Sequence, residues 1–208
     1  MHKESYCIED FATELRRRVE ESEGNAQESF QALSQQLKVD VSSLCAEQMA
    51  REMDMWFEFS TLPALGTPMP SGVENDVYLS GEGNYIYKIN NLMTSKTILG
   101  LFERLCIHNS IFPQTNYTLY GFTGFGKGSI YPILRQDFIC YEREATPVEI
   151  DTYMSALGFE KVNISTFSNG KVIVSDLHPR NVLRDEEGDL FVIDADFTNI
   201  SPHLSQNI

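Results

Sequence analysis

No stretch of this 208-residue chain approaches eighteen consecutive apolar residues, so none reads as a helix that crosses a bilayer. The N-terminus, Met1-His-Lys-Glu-Ser5, lacks the apolar segment of a secretory leader. Positive charge is scarce: 16 Lys and Arg stand against 30 Asp and Glu, for a net charge of -14. Nucleic-acid affinity is built from clustered Lys and Arg, so this balance argues against a nucleic-acid partner. It does not argue against a nucleotide, which needs only local positive charge and a metal. The four cysteines (Cys7, Cys45, Cys106, Cys140) are far apart and form no C-x-x-C pair. That removes the usual zinc spacing and predicts reduced, mostly buried thiols. Internal repeats and low-complexity tracts are absent. The expectation is a soluble cytoplasmic protein. Its 42% hydrophobic content supports a core, and its length suits one compact domain, or one domain plus an extension.

The pattern of the chain changes near residue 60. Before it, the reading is helical. Ile8, Phe11, Ala12, Leu15 and Val19 follow helical spacing. Phe30, Leu33 and Leu37 mark a second, weaker helix. Cys45, Met49, Met53 and Trp56 mark a third, started by Asp40 or Ser42. Arg16-Arg17-Arg18 could bind a phosphate, but a solvated helix face beside Glu14, Glu20 and Glu21 is the expected role. Thr61–Pro70, with three prolines and a glycine, predicts a linker. Beyond it, strands are expected at Val77–Leu79 and Tyr85–Ile89, a helix over Thr94–Asn109, and strands at Tyr117–Thr123 and Ile130–Leu134. Thr146-Pro147-Val-Glu149 is a capping box that starts a helix running towards Leu157, ended by Gly158. A hairpin of Phe159–Thr166 and Lys171–Asp176 follows, around Ser168-Asn169-Gly170. The run Gly121–Ser129 is not a Walker loop, because Gly128 separates Lys127 from Ser129 and a strand follows; it predicts a hairpin loop.

The chemistry concentrates near the C-terminal end. Asp176-Leu-His-Pro-Arg-Asn181-Val-Leu183 is followed by an acidic turn around Gly188, and then by Leu190-Phe-Val-Ile-Asp194-Ala-Asp196. Strands are expected at Asn181–Leu183 and Leu190–Ile193. A hairpin folds back on itself, so Asn181 and Asp194 come close together. Two oxygen-bearing side chains at such a point can hold Mg²⁺, which takes oxygen ligands and is usually shared with substrate phosphates. An acidic surface hairpin without chemistry is the plain alternative. The coincidence of residue type, order and spacing argues against it. Upstream, Lys88 lies within the strand Tyr85–Ile89, sharing a face with Ile86, while Tyr85, Tyr87 and Ile89 take the other. A lysine inside an apolar strand either reaches solvent at a sheet edge or meets an anion, since its desolvation is otherwise uncompensated.

These segments resemble the catalytic and metal-binding loops of the protein kinase-like superfamily. The wording Asp-Leu-His-Pro-x-Asn-Val-Leu is closer to the aminoglycoside phosphotransferase and atypical kinase branches than to eukaryotic protein kinases, where Lys usually stands at the position of His178. Over about residues 65–197 the chain is similar to the small kinase-like domains of bacterial and mobile-element polyvalent proteins. Gly72-x-Glu74-Asn75-x-Val77-Tyr78, Tyr87-Lys88-Ile-Asn-Asn91 and the Asp176 loop carry that likeness. The resemblance implies an α+β, two-lobe fold. Residues 1–60 would be a helical extension, 61–140 an N-lobe with an antiparallel sheet and one helix, and 141–208 a reduced C-lobe.

It also implies an ATP- and Mg²⁺-dependent phosphotransferase acting on a protein Ser, Thr or Tyr, or on a small-molecule hydroxyl. A catalytically inactive, pseudokinase-like nucleotide-binding or interaction module is the alternative. Asp176 would be the base, Asn181 a metal ligand and Asp194 the principal metal ligand, with Asp196 a less favoured substitute. Lys88 would hold the α- and β-phosphates and be fixed by Glu103. Gly72, Glu74, Asn75 and Val77 would form the phosphate-covering loop and first strand. Ile133, Leu134, Gln136 and Phe138 would border the adenine. The N-terminal helices offer a surface for a protein partner. Two departures stand out. Val174-Ser175 precede Asp176 where relatives have His-Arg or His-Gly. The sequence also ends fourteen residues after Asp194, which predicts a missing acceptor platform.

Overall fold

A computed structural model describes residues 5–24, 34 and 39–200; the expected helix marked by Phe30, Leu33 and Leu37 lies outside the described residues. The chain divides into two compact units. Met1–Cys106 and Asn116–Phe138 form one, Ile107–Thr115 and Ile139–Ile208 the other. No helix among the described residues is long and apolar enough to cross a membrane.

The first unit is built on a five-stranded antiparallel sheet of β1 (Thr67–Met69), β2 (Asn75–Leu79), β3 (Tyr85–Asn90), β4 (Thr118–Gly126) and β5 (Ser129–Asp137), in the order β1-β2-β3-β5-β4. One face is covered by helices α1 (Ile8–Gly24), α2 (Val41–Glu52) and α3 (Ile98–Ile111). Ile8, Phe11, Ala12 and Leu15 of α1 and Cys45, Ala46 and Met49 of α2 share one core with Leu101 and Phe102 of α3 and with Leu119, Phe122 and Leu134 of the sheet. Phe11 lies edge-on to Phe102 at 5.7 Å and against Phe122 at 5.3 Å. The expected division at residue 60 is therefore not the one observed. The apolar stripes of α1 and α2 are used up against the sheet, so these helices belong to the first unit instead of extending from it. Among the described residues that unit carries three helices, not one.

The segment expected to be a linker is structured as well. Phe59–Leu65 forms 3-10 turns around Pro63, with Leu62 and Leu65 buried against Tyr87, Ile89 and Ile133 on the second face of the sheet. Thr67–Met69 then pairs with Leu79–Val77. Pro68 is tolerated because β1 is an edge strand, where a missing N–H costs little. At the other edge, β4 is protected. Tyr6 and Leu119 exchange backbone hydrogen bonds of 2.8 and 2.9 Å, and Phe57 donates to Phe122 at 2.7 Å. Gly121 makes this cover possible, since a Cβ there would lie 2.4 Å from the Phe57 ring. The third expected helix starts where predicted, capped by Asp40, but ends at Glu52, and Asp54 at φ 54 turns the chain away. Trp56 thus leaves the helix and bridges to Phe122. The Gly126–Gly128 turn joins β4 to β5 as a hairpin.

The triple-arginine run is a solvated face. Arg17 pairs with Glu14 and Glu21, Arg18 with Glu14 and Glu52, and Arg16 with Glu103.

Among its described residues the second unit holds two small antiparallel sheets, the last turns of α3 and one further helix. Strand β6 (Arg143–Glu144) precedes helix α4 (Pro147–Ala156); β7 (Glu160–Asn163), β8 (Thr166–Ser168), β9 (Val172–Ser175), β10 (Val182–Arg184), β11 (Leu190–Val192) and β12 (Asp196–Asn199) follow. The sheet orders are β11-β10-β6 and β12-β9-β8-β7. The capping box is present: Thr146 Oγ1 accepts from the Glu149 N–H, and Glu149 accepts from the Thr146 N–H. Phe159–Thr166, expected as one strand, folds back on itself as β7 and β8, with a register shift between Lys161 and Asn163. Met154, Phe167, Val174, Val182 and Val192 form this unit's core.

Two outcomes test this architecture. Phe11→Ala should cost about 3–5 kcal/mol in urea unfolding of the first unit, whereas a separate extension would leave that transition unmoved. Arg143 and then Thr146 hold the Glu149 carboxyl well below its ordinary value of 4.5. A depressed carboxyl stabilises the fold above its unfolded value and loses that contribution as pH falls below it. The melting-temperature gap between wild type and Glu149→Gln should therefore be full at pH 7 and shrink progressively below about pH 4.5.

Candidate functional site

In the first unit, pairing sets the geometry. Val77 lies opposite Lys88, and Lys88 opposite Leu134, on adjacent strands. Residues two apart on a strand share a face. Asn75, Val77, Lys88, Leu134 and Gln136 therefore lie on one face of one sheet. Lys88 is on an inner strand and only 9% exposed, which removes the reading of an edge lysine in solvent. Its ammonium donates to the Tyr117 hydroxyl at 2.7 Å and stands 4.8 Å from that ring's centre. Leu134 and Gln136 are buried, and Phe138 is 37% exposed.

Two expected roles change with these placements. Ile133 faces the opposite side of the sheet, in the cluster of Tyr87 and Ile89, so strand alternation keeps it from bordering a base with Leu134. Glu103 does not meet Lys88. It lies off the buried Leu101–Phe102–Leu105 stripe of α3, its side chain is 60% exposed, and its carboxylate pairs with Arg16 at 3.2 Å.

The loop before β2 is tied to the loop after β3. Asn91 donates its backbone N–H to Glu74 O at 3.0 Å and its side-chain amide to Val73 O at 2.7 Å. Asn90 donates to Asn75 Oδ1 at 2.9 Å. Thr94 donates to Glu74 Oε2 at 3.0 Å, and Arg104 lies 3.6 Å from Glu74 Oε1. Gly72 has no positive φ, and a Cβ there would touch nothing within 4 Å. The protein itself therefore does not require glycine at this position.

In the second unit, two ladders converge. Strand β9 delivers Asp176 and pairs with β12, placing Ser175 opposite Asp196. Strands β10 and β11 pair through Val182 and Val192, and the Ile193 N–H extends the ladder to Asn181 O at 2.9 Å. The structure thus gathers Asp176, Asn181 and the Asp194–Asp196 segment. Asn181 Nδ2 donates to Asp176 O at 2.9 Å and to Asp176 Oδ2 at 3.0 Å. With the amide nitrogen so engaged, Asn181 Oδ1 has no donor among the described residues. His178 Nε2 stands 3.3 Å from Asp176 Oδ1. His178 Nδ1 is buried without a partner. Asp194 is exposed and makes no hydrogen bond or ion pair among the described residues. An amide oxygen and an unpaired carboxylate form an all-oxygen donor set of the kind Mg²⁺ prefers.

Asp176 sits at φ 63, a left-handed conformation that costs a non-glycine residue about 1–2 kcal/mol. Asp and Asn are the side chains that tolerate it, by bonding locally. Two further features of this unit lie outside the expected site residues. Asp185, Glu187 and Asp189 bring their oxygens within 4.8 Å of one another in the β10–β11 turn. A groove of about 670 Å³ lies between α4 and that turn, lined by residues such as Val148, Tyr153 and Leu157; no predicted site residue lines it.

The strain can be tested without an activity assay. In urea unfolding, Asp176→Gly should be more stable than Asp176→Ala by about 1 kcal/mol, because glycine enters the left-handed region freely and alanine does not.

A comparison with protein families finds a match over residues 42–200, well over half the chain, to a family described as Serine/Threonine/Tyrosine Kinase found in polyvalent proteins. A search of curated proteins finds no match.

Proposed function

The chain belongs to the kinases found in polyvalent proteins, and on that premise we propose that it is an active ATP-dependent phosphotransferase. The observation that supports this most directly is the Asp176–Asn181–Asp194 arrangement: a strained, exposed carboxylate that accepts from the Asn181 amide and lies near His178, beside the side-chain oxygens of Asn181 and Asp194. Asp176 is the general base. As the acceptor oxygen bonds to the γ-phosphorus and the bond from that phosphorus to the bridging β–γ oxygen breaks, the acceptor proton passes to the Asp176 carboxylate and ADP leaves. Positioned proton transfer of this kind contributes typically ~10²–10⁴ in rate.

Asn181 Oδ1 and the Asp194 carboxylate are the groups that would hold Mg²⁺; when bound, the ion neutralises charge on the β- and γ-phosphates. Lys88, on the face shared by Asn75, Val77, Leu134 and Gln136, supplies the cation for the α- and β-phosphates. Gly72 suits a phosphate-covering loop, since its open surroundings leave the backbone accessible to a ligand that a side chain would obstruct. Glu74 and Asn75 anchor that loop, and Phe138 borders the adenine end. Glu103 has no part in fixing Lys88 here; the Tyr117 hydroxyl takes that place. The loop wording around His178 keeps a small-molecule hydroxyl beside Ser, Thr and Tyr as the acceptor.

Incubation with γ-labelled ATP and Mg²⁺ tests this. Wild type should label itself or a supplied acceptor, and Asp176→Ala should lose ~10²-fold or more of that rate while keeping its ATP-induced rise in melting temperature. Lys88→Met should lose that rise. Equal labelling by wild type and Asp176→Ala would sink the assignment. A thermal shift with ATP but no transfer under any condition would identify the inactive, pseudokinase-like module instead.

A further inference from the structure

His108 is 1% exposed, and no part of the proposed chemistry uses it. It lies in the last turn of α3, within the second unit. Its Nε2 stands 2.9 Å from Thr115 O and 3.2 Å from Thr115 Oγ1. A carbonyl oxygen only accepts, so Nε2 carries the proton and donates. The Thr115 hydroxyl in turn donates to Val192 O at 2.6 Å. Val192 is the last residue of β11, two positions before Asp194, and the residue after it donates to Asn181 O. On the far side of the metal segment, the His108 ring packs edge-on against Phe197 at 5.6 Å and 86°. Phe197 follows Asp196 directly on β12. Phe112 closes the arrangement, 5.5 Å from His108 and 6.1 Å from Phe197.

One buried imidazole therefore grips the chain at both ends of the Ile193–Asp196 segment, through a hydroxyl relay at one end and a ring contact at the other. We propose that His108, with Thr115, is a positioning residue that fixes the Asp194 carboxylate relative to Asn181 for cation binding. A buried polar relay of this kind is directional: it holds only when donor and acceptor keep their places, which apolar packing alone does not enforce. Groups that orient metal ligands typically change affinity 10–100-fold when removed. The inference rests on Asp194 being a ligand, as assigned above.

The experiment titrates the full chain with Mn²⁺ in the presence of a non-hydrolysable ATP analogue, read by water proton relaxation, and follows amide hydrogen exchange of residues 190–197 without any ligand. Thr115→Val keeps the side-chain volume and removes the hydroxyl. It should weaken Mn²⁺ about tenfold or more and speed exchange at residues 192–196, with analogue binding in EDTA unchanged. His108→Phe, which keeps the ring and loses the donor, should do the same. Thr115→Ser and His108→Gln, which keep a donor, should largely restore Mn²⁺ affinity. If Thr115→Val binds Mn²⁺ within twofold of wild type while Asp194→Ala loses it, the brace is refuted and the metal assignment stands. If Asp194→Ala itself retains Mn²⁺ affinity, the assignment falls and the inference with it.

Discussion

The hydrogen bond from Ile193 N–H to Asn181 O closes the β10–β11 ladder one residue before Asp194. Together with the Ser175–Asp196 pairing of β9 and β12, it turns two loops into one site. Without these pairings, Asp176, Asn181 and Asp194 would be three acidic or amide side chains on separate surface segments. With them, the Asn181 amide nitrogen is committed to Asp176, and among the described residues its oxygen has no donor and Asp194, one residue beyond the ladder, has no partner. The left-handed backbone of Asp176 follows from the same constraint. The chain leaves β9 and must place both a carboxylate and a carbonyl within reach of one amide.

The first unit solves a different problem, which is how to keep a lysine inside a sheet. Lys88 lies between Val77 and Leu134 on neighbouring strands, where an ammonium with no polar partner would be costly. The Tyr117 hydroxyl and ring moderate that cost, and an anionic ligand would lower it further. The helices make this burial possible. Phe11, Phe102 and Phe122 bring α1, α3 and β4 into one core, and the segments around Tyr6 and Met55–Phe57 cover the β4 edge. Helices α1 and α2 are thus part of the scaffold beneath the lysine. Their arginines pair with neighbouring carboxylates, Glu103 among them.

Much of the site was readable because it is local. The Asp-Leu-His-Pro-x-Asn wording, the acidic turn with Gly188 and the apolar flanks of Asp194 together specify a hairpin. Strand alternation alone placed Ile86 and Lys88 on one face. The capping box at Thr146 and Glu149 needed four residues to be recognised. What escaped was set by partners far away in sequence. Glu103 looked suited to Lys88 because only spacing along the chain was visible, and spacing says nothing of Arg16 lying alongside. Thr61–Pro70 looked like a linker because its prolines were counted without the edge strand that accepts one of them. His108 and Thr115 carry no motif, and they gain meaning only once Val192 is seen beside them.

The sequence by itself determined the elements and the order of the chemistry-bearing residues, because turn residues, caps and apolar periodicity act over a few neighbouring positions. The tertiary structure alone decided which helices belong to which core, which carboxylate each cation meets, and which buried groups pack around the Ile193–Asp196 segment. Those outcomes depend on contacts between residues tens of positions apart, and such contacts form only when the whole of each unit packs.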